Sequence, residues 1–436
     1  MKKGILSFVV LGFFAMNMVV CQTTTSLYMP SCAYSSDQAI GRVSSDSSHI
    51  ISYHYHGTYG EFVWTDITTN ICLKFRLQQG TFISDFERIG DTIFFCGYNS
   101  SHGIVGYFME SGFASGSGYV FYAMIPEIRF LDKMEAYYDP NTKNPIVAAV
   151  GHDNMDSNLS VNTAIFVFEF SGGNVSYNFQ DYSYYWYNRI YMDVAVTNNY
   201  IVSVGIYDFV NNQIALTVID KNNTLFYTPY IPVETAGNMN SMNYSIEELK
   251  DDEVAISTLL EDAVAPSNFV SPVHVFDAAT ATFVNSQTVP LLQKSAPYNE
   301  MKYFPVYKTL LLMQTNEYPA ITTTNTAIYY LDPYKTTAYN ALTVYDSNSY
   351  YYSLDRFSNN EFLATGELKS LSHSFLIHDI LSSPQFQCLE GDYNMISPVN
   401  TLSTSSTSVP MQNSSSSTLT SFKPKVIKTA ALDRCK

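Results

Sequence analysis

Charged residues are scarce in this chain, and basic residues are the scarcer kind. Charged side chains make up 14% of the 436 residues, and 23 Lys and Arg stand against 39 Asp and Glu, a net charge of -16. A protein that binds nucleic acid places Lys and Arg opposite the phosphates. The balance therefore argues against nucleic acid as a partner, and it leaves cations, glycans and proteins open.

Long apolar runs are also missing, except at the N-terminus. Two lysines there precede an apolar run from Ile5 to Val20, and the polar stretch QTTTS follows it. This order is typical of a secretory signal peptide. The run is interrupted by polar residues and is shorter than the ~20 apolar residues that span a bilayer. We expect a signal peptide at 1–21, no transmembrane helix, and a secreted or cell-surface protein.

The end of that run, MNMVVC, resembles a bacterial lipobox, in which Cys21 would carry a lipid anchor. It departs from the pattern at Val20, where a small residue is expected. The composition, the lysine pair and the partial lipobox resemble exported proteins of Bacteroidetes-type bacteria. In a eukaryotic host, six asparagines would instead lie in glycosylation sequons: Asn99, Asn158, Asn174, Asn222, Asn243 and Asn413.

Recognisable catalytic and metal-binding motifs are missing as well. His54 and His56 in SYHYHG fall on one face of a strand, a spacing that can chelate a metal. Two ligands are too few for a site, and the sequence shows no matching cluster beside them, although His152, Asp153 and Asp156 in GHDNMD are candidates to supply one after folding. We therefore expect no metal and no cofactor.

The chain does contain a repeated pattern of a turn, about four apolar residues and a small or polar break. In ERIGDTIFFCGYN the break is Gly97. Seven such breaks occur, 43 to 57 residues apart: His54, Gly97, Gly151, Gly205, Thr258, Thr315 and Gly366. A period of this size indicates a repeat architecture.

An acidic residue recurs at one place in each repeat, at the end of the strand that follows the break. These acids are Asp66, Glu110, Glu169, Asp220, Asp277, Asp332 and Asp379. Short acidic side chains hydrogen-bond the backbone of turns, so we expect a structural role for the series.

Each repeat holds four short strands, and an aromatic content of 15% favours pleated sheets. Four strands in a repeated unit of this length resemble the blades of a β-propeller. The resemblance implies an all-β fold, a seven-bladed β-propeller of four-stranded antiparallel blades, without the blade motif of a named family. We place it at 41–397, after a lead-in at 22–40, and expect a monomer.

The character of the chain changes after this region. Ser and Thr make up 13 of the 20 residues from Thr401 to Thr420, which predicts a flexible linker at 398–422. A basic tail follows at 423–436. We interpret it as a frayed end, with an address or a docking peptide as alternatives.

Six cysteines remain to be placed. Loss or lipidation of Cys21 leaves an odd number, and in an exported chain paired cysteines are expected. A Cys32–Cys388 bond would join the two ends of the repeat region. Cys72 and Cys96 are a second candidate pair, with a small buried hydrophobe as the alternative for Cys96, which lies in an apolar strand.

Three aspartates are candidate catalytic residues. Asp85, Asp193 and Asp355 lie eleven or twelve residues before a break, in the first strand of their repeats. In a propeller the first strand lines the central channel, where two carboxylates can act as acid and base in glycoside hydrolysis. Their recurrence at one position argues equally for a scaffold role.

Aromatic residues concentrate in two connections between repeats, within QDYSYYWYNRIYMD and SNSYYYSLD. The candidate binding residues there are Tyr184, Tyr185, Trp186, Tyr187, Arg189, Tyr350, Tyr351 and Tyr352. Aromatic faces suit sugar rings and protein hot spots alike. The alternative is that these rings pack between the blades.

Two functional classes follow from the sequence. The first is a secreted or surface-associated module that binds a glycan or protein ligand through its aromatic loops. The second is a carbohydrate-active enzyme, a glycoside hydrolase or lyase, that uses the channel carboxylates. The missing acid/base and metal motifs favour binding.

Overall fold

The computed structural model describes the chain as an almost entirely β structure. The described residues are 25–29, 39–43, 49–56, 59–66, 71–115, 118–139, 141–153, 163–182, 190–208, 213–222, 225–227, 230–232, 244–258, 260–261, 269–290, 297–316, 326–335, 340–344, 349–368, 372–380, 408–410, 413–418, 420–422, 425–430 and 432–433. In this part of the chain the one helix is the short segment Glu110–Ala114.

The described strands form seven antiparallel sheets, which we number in chain order. Sheet 1 contains Ala39–Val43, His49–His56, Tyr59–Asp66 and Ile71–Arg76; sheet 2 contains Phe82–Ile89, Thr92–Tyr98, Gly103–Met109 and Val120–Ile125; sheet 3 contains Phe130–Tyr138, Pro145–His152, Thr163–Ser171 and Asn174–Tyr182. Sheet 4 contains Ile190–Val196, Tyr200–Asp208, Gln213–Asp220, Leu225–Tyr227 and Tyr230–Pro232. Sheet 5 contains Ser245–Lys250, Glu253–Ser257, Leu260–Glu261, Phe269–Asp277 and Thr282–Pro290; sheet 6 contains Pro297–Phe304, Thr309–Asn316, Thr326–Leu331 and Asn340–Val344. Sheet 7 contains Ser349–Arg356, Glu361–Leu368, Ser372–Asp379 and Thr25–Met29.

The fourth strand of sheet 7 comes from the N-terminal part of the chain. Thr25–Met29 pairs antiparallel with Ser372–Asp379, with Tyr28 opposite Phe375. Thr25–Met29 falls within the lead-in expected at 22–40, and the structure instead makes it a strand of sheet 7. Cys388 lies outside the described residues. Backbone hydrogen bonds join the two ends of the repeat region.

The core is divided among the junctions between sheets. The first strand of each sheet contacts the first strand of the next, and the first strand of sheet 7 contacts that of sheet 1. Six apolar clusters fill the six junctions from sheets 1 and 2 to sheets 6 and 7. Sheets 2 to 6 therefore bury apolar side chains against both of their neighbours, as repeat architectures do.

The sheets have two distinct ends. At one end, the turn end, the first strand finishes and the second starts, and the third strand finishes. At the other, the connection end, the second strand leads to the third and each sheet leads to the next. The first strand starts at the connection end and the second strand finishes there.

The glycine breaks of the sequence mark a close approach between the first two strands. A Cβ atom at Gly97 would lie 1.9 Å from the backbone oxygen of Phe82, and one at Gly151 would lie 2.1 Å from that of Phe130. The register of the first two strands shifts beside both glycines, which indicates a bulge. Glycine is required at these breaks because no side chain fits.

The recurrent acids cap turns, as the sequence predicts. Asp220, Asp277 and Asp332 each accept the backbone N–H of the residue two positions further on, at 2.7, 2.8 and 3.0 Å. Glu110 acts differently and accepts a hydrogen bond from Arg88 Nε at 3.0 Å. The turn role is confirmed for the three aspartates.

The C-terminal residues form five short strands, which we call the C-terminal belt: Ser408–Pro410, Asn413–Thr418, Thr420–Phe422, Lys425–Ala430 and Leu432–Asp433. In that order they pair antiparallel with the edge strands of sheets 4, 3, 2, 1 and 7. The structure thus differs from the flexible linker and frayed end expected from composition. Edge strands offer unpaired N–H and C=O groups, and a Ser/Thr segment needs no apolar side chains to pair with them.

Candidate functional site

Two rows of residues on the first strands face the neighbouring sheets. Six first-strand residues pack into the apolar clusters between sheets: Phe86, Met134, Val194, Ile246, Met301 and Leu354. Because side chains alternate along a strand, the residues just before these six point the other way. We call these preceding residues the inner row: Asp85, Lys133, Asp193, Ser245, Glu300 and Ser353.

Four members of the inner row accept a backbone N–H from the first strand of the next sheet. The pairs, acceptor first, are Asp85 Oδ2 and Met134 (3.1 Å), Asp193 Oδ2 and Ile246 (3.0 Å), Ser245 Oγ and Met301 (3.2 Å), and Glu300 Oε2 and Leu354 (2.9 Å). These hydrogen bonds join the first strands of neighbouring sheets, namely sheets 2 and 3, 4 and 5, 5 and 6, and 6 and 7.

The two aspartates also use their second carboxylate oxygen within their own strand. Asp85 Oδ1 accepts the N–H of Phe86 at 3.0 Å, and Asp193 Oδ1 accepts that of Val194 at 2.9 Å. The inner-row residue of sheet 3 is Lys133, which points toward sheet 4. Its ammonium group donates hydrogen bonds but cannot accept one from a backbone N–H of sheet 4. Asp193 therefore supplies from its own strand the acceptor that Val194 needs.

The ionisation of Asp193 is strongly shifted. Burial raises the pKa of this carboxyl group to about 6, although Lys133 and the N–H of Ile246 act in the opposite direction, and Asp85 adds to the rise. A carboxyl group that titrates near neutral pH is suited to acid/base catalysis. Here both oxygens bind backbone N–H groups, so the geometry favours the scaffold role.

Asp355 does not share the position of the other two candidates. Ser353 holds the inner-row place on sheet 7, and Asp355 lies two residues further along, opposite Leu363. Its Oδ1 accepts the N–H of Arg356 at 2.8 Å and lies 4.0 Å from Lys302 Nζ. The three aspartates are therefore not equivalent.

Lys302 is the centre of an ion cluster that joins three sheets. Its Nζ lies 3.6 Å from Glu247 Oε2 on sheet 5, and Arg356 Nη2 on sheet 7 lies 3.8 Å from Glu247 Oε1. Burial by itself lowers the pKa of Lys302, but the carboxylates of Glu247 and Asp355 outweigh it and raise the pKa. The ammonium stays charged and holds these carboxylates together.

The predicted aromatic residues fall into two groups in the structure. Tyr184–Tyr187 and Arg189 lie outside the described residues, between strands that end and begin at the connection end. Tyr351 is 2% exposed and packs between sheets 6 and 7, whereas Tyr352 is half-buried. Tyr350 lies in the same strand, opposite Glu367. Tyr351 thus packs between sheets, which is the alternative to ligand binding for this ring.

A different set of rings forms a continuous row at the connection end of sheets 1 to 3. Successive centroids are 4.4, 4.8, 4.8 and 5.1 Å apart, and every ring is half-buried. We call it the aromatic row, in order Tyr55, Phe82, Tyr98, Phe130 and His152. It offers partly exposed ring surface across three sheets.

Polar groups flank the far end of the aromatic row. His152 Nδ1 lies 2.6 Å from Asp132 Oδ2, and Asp153 Oδ1 accepts the N–H of Arg129 at 2.8 Å. Burial lowers the pKa of His152, but the hydrogen bond and charge of Asp132 reverse this and raise the pKa. The guanidinium carbon of Arg129 lies 5.2 Å from the Phe130 ring centroid. Rings, carboxylates and a cation therefore meet in one place.

The aromatic row is absent from the sites predicted from sequence, although the repeat pattern carries its signal. Tyr55, Tyr98 and His152 each follow a break residue directly, and Phe82 and Phe130 each occupy the start of a first strand. All five residues of the row could therefore be identified as aromatic or imidazole rings at equivalent positions of successive repeats. Local aromatic density pointed instead to the two tyrosine-rich connections.

His54 is fully buried in sheet 1, on the face opposite the cluster shared with sheet 2. Its Nε2 lies 2.8 Å from Ser52 Oγ. The buried Glu61 carboxylate on the neighbouring strand forms ion pairs with Lys74 at 3.2 Å and with Arg76 at 2.8 Å. The surroundings of His54 are thus a buried polar network.

The side chain of the second candidate metal ligand, His56, lies outside what the structure describes; its backbone pairs with Tyr59. Within the described residues, no group of three or more His, Cys, Asp or Glu side chains is placed to hold a metal ion. The histidine pair therefore remains a sequence pattern without a described third ligand.

The cysteine expectations are corrected at one point. Cys96 is a free, fully buried thiol that packs into the cluster between sheets 2 and 3, and burial raises its pKa. A Cys72–Cys96 bond is therefore wrong, because Cys72 belongs to sheet 1 and Cys96 faces away from it. Cys32 and Cys388 lie outside the described residues.

No protein-family model and no curated protein matches this chain. Over the described ranges, no helix is long and apolar enough to cross a membrane.

Proposed function

We propose that this chain is a seven-bladed β-propeller, secreted or held at the cell surface, that binds a glycan or protein ligand. Three observations support a ring of blades: the seven sheets, the cyclic contacts of their first strands, and the six apolar clusters between successive sheets. In such a ring each sheet is one blade, and the connection end carries the loops that bind ligands.

The aromatic row is the observation that carries the binding function. Ring faces give a ligand a large apolar area at little cost in conformational entropy, and nearby polar groups fix its orientation. The row supplies both, with Asp132, His152 and Arg129 beside the rings. The strands on either side of the segment 183–189 end and begin at the same end.

The hydrogen bonds of the inner row weigh against the catalytic alternative. A glycosidase needs one carboxyl group that donates a proton and one carboxylate that attacks or activates water. In Asp85 and Asp193, both carboxylate oxygens accept hydrogen bonds from backbone N–H groups. The carboxylate of Asp355 lies beside the ammonium group of Lys302.

A binding screen with matched variants tests the proposal. Residues 22–436 are applied to a glycan array and to a panel of secreted host proteins, alongside Tyr98→Ala, Trp186→Ala and the control Tyr138→Ala. Tyr138 is 45% exposed at the turn end, so it matches Tyr98 in chemistry but not in place. We expect Tyr98→Ala to weaken binding at least tenfold, the size of a hot-spot loss.

Tyr98→Phe separates ring contact from folding in the same screen. This variant keeps the ring and should keep most of the binding, and thermal melting shows whether each variant is folded. Equal binding by wild type and a folded Tyr98→Ala protein would refute the role of the aromatic row. Activity on an arrayed glycan that disappears in Asp193→Asn would favour the enzyme instead.

A further inference from the structure

The junction between sheets 5 and 6 holds neutral polar side chains at the connection end. Asn299 and Gln314 lie opposite each other on the first two strands of sheet 6. Asn299 lies two positions before Met301, and Gln314 lies two positions after Leu312. Met301 and Leu312 both belong to the apolar cluster at this junction, so the two amide side chains point toward sheet 5 as well. Gln314 is 6% exposed and Asn299 is half-buried.

The facing side of sheet 5 contributes three serines. Ser245 Oγ accepts the N–H of Met301, two residues after Asn299, at 3.2 Å, which places the two sheets side by side at this level. Ser257 and Ser271 are fully buried, with their hydroxyl oxygens 2.8 Å apart. The junction is therefore polar from both sides at its connection end.

Three amide atoms at this place are covered but lack an internal hydrogen-bond partner. Among the described residues, no group bonds to Asn299 Nδ2, Asn299 Oδ1 or Gln314 Nε2. A buried amide without a partner costs stability, and sequences keep such groups where function uses them. Apolar residues of the same shape would fill the junction better, which points to a ligand as the missing partner.

We propose that Asn299 and Gln314 form a subsite for the hydroxyl groups of a neutral sugar. Each amide group offers N–H donors beside a carbonyl acceptor and carries no charge, which matches adjacent sugar hydroxyls that donate and accept. The subsite lies at the end of the sheets that carries the aromatic row, on other sheets. This inference rests on the proposed binding function, and it names the ligand class and a second contact point.

Stability and binding are measured together on full-length mature protein. The variants are Asn299→Leu, Gln314→Leu and the control Thr315→Val. Thr315 follows Gln314 but faces sheet 7, where its hydroxyl bonds to the backbone oxygen of Tyr351. We expect both leucine variants to melt at or above the wild-type temperature and Thr315→Val to melt below it, because only Thr315 has a partner inside the chain.

On a glycan array, each leucine variant should bind the sugars recognised by wild type roughly two- to tenfold more weakly, the effect of one lost hydrogen bond. Thr315→Val should bind them unchanged. A leucine variant that melts as low as Thr315→Val would show that the chain itself supplies the partners, and would overturn the subsite.

Two binding outcomes separate this inference from the proposed function. If wild type binds arrayed sugars and the leucine variants bind them equally well, the subsite is refuted while the binding function stands. If wild type binds no arrayed sugar, glycan binding fails and the subsite fails with it. Loss of binding to a protein partner alone would overturn the assignment to sugars.

Discussion

Asp193 on sheet 4 accepts the backbone N–H of Ile246 on sheet 5 through Oδ2, at 3.0 Å. Its other oxygen accepts the N–H of Val194 at 2.9 Å, so one side chain completes the hydrogen bonding of two strands. Asp85 repeats the arrangement between sheets 2 and 3. A residue type that looks catalytic in the sequence is used here to join sheets.

The raised pKa of Asp193 predicts a specific pH dependence of stability. Its folded value of about 6 exceeds the ordinary 3.8, so between these values the folded chain binds more protons than the unfolded chain. Protonation of Asp193 therefore increases the free energy of unfolding as the pH falls from about 6 toward 4. Above about pH 7 this contribution is absent. The difference in Tm between wild type and Asp193→Asn should be larger near pH 4.5 than near pH 7.5.

Ser245→Ala is the matched control for that measurement. It removes an acceptor between sheets 5 and 6 without removing a titratable group. Its deficit in Tm, followed by differential scanning fluorimetry, should stay constant over the same pH range. Parallel curves for the two variants would contradict the assignment of the pH effect to Asp193.

Gly97→Ala should be severely destabilising, by more than about 3 kcal/mol. The added methyl group would lie 1.9 Å from the backbone oxygen of Phe82, so the first strand of sheet 2 must move. Gly151→Ala should behave alike, since its methyl group would meet Phe130 at 2.1 Å. Urea unfolding measures both, and losses below about 1 kcal/mol would show that the bulges yield easily.

Lys308→Gly should stabilise the turn between the first two strands of sheet 6 by about 0.5–1 kcal/mol. Lys308 is exposed and has a φ of 53°, a conformation that costs an L-residue free energy and costs glycine little. Val306→Gly in the same turn is the control and should lose stability, because Val306 is not among the residues with positive φ. A lower Tm for Lys308→Gly would contradict the account.

Truncation after residue 407 should lower the Tm and promote self-association. It removes the C-terminal belt and exposes the edge strands of sheets 4, 3, 2, 1 and 7. Exposed edges pair with other chains. Light scattering and thermal melting measure both effects, with removal of residues 434–436 as the control that leaves the belt. A monomer with wild-type Tm would mean that the belt adds nothing to the fold.

Much of the fold could be predicted from local pattern. The period of the breaks and the alternation of apolar residues gave the strands and their grouping, because both depend on neighbours within one repeat. The turn aspartates were predictable for the same reason, since Asp220 and Asp277 bond within two residues of themselves. Tyr351 was harder to place, because a ring at a strand start can face solvent or a neighbouring sheet.

The sequence by itself determined the all-β character, the repeat and the turns of this protein, since backbone geometry and side-chain alternation act over a few residues. Only the tertiary structure decided that Thr25–Met29 completes sheet 7 and that the Ser/Thr-rich segment pairs with sheet edges. It also decided that Asp193 bonds to Ile246 and that five rings from three sheets form one row. These contacts join residues distant in the chain, and their partners are chosen by packing and unpaired hydrogen-bonding groups that no local pattern records.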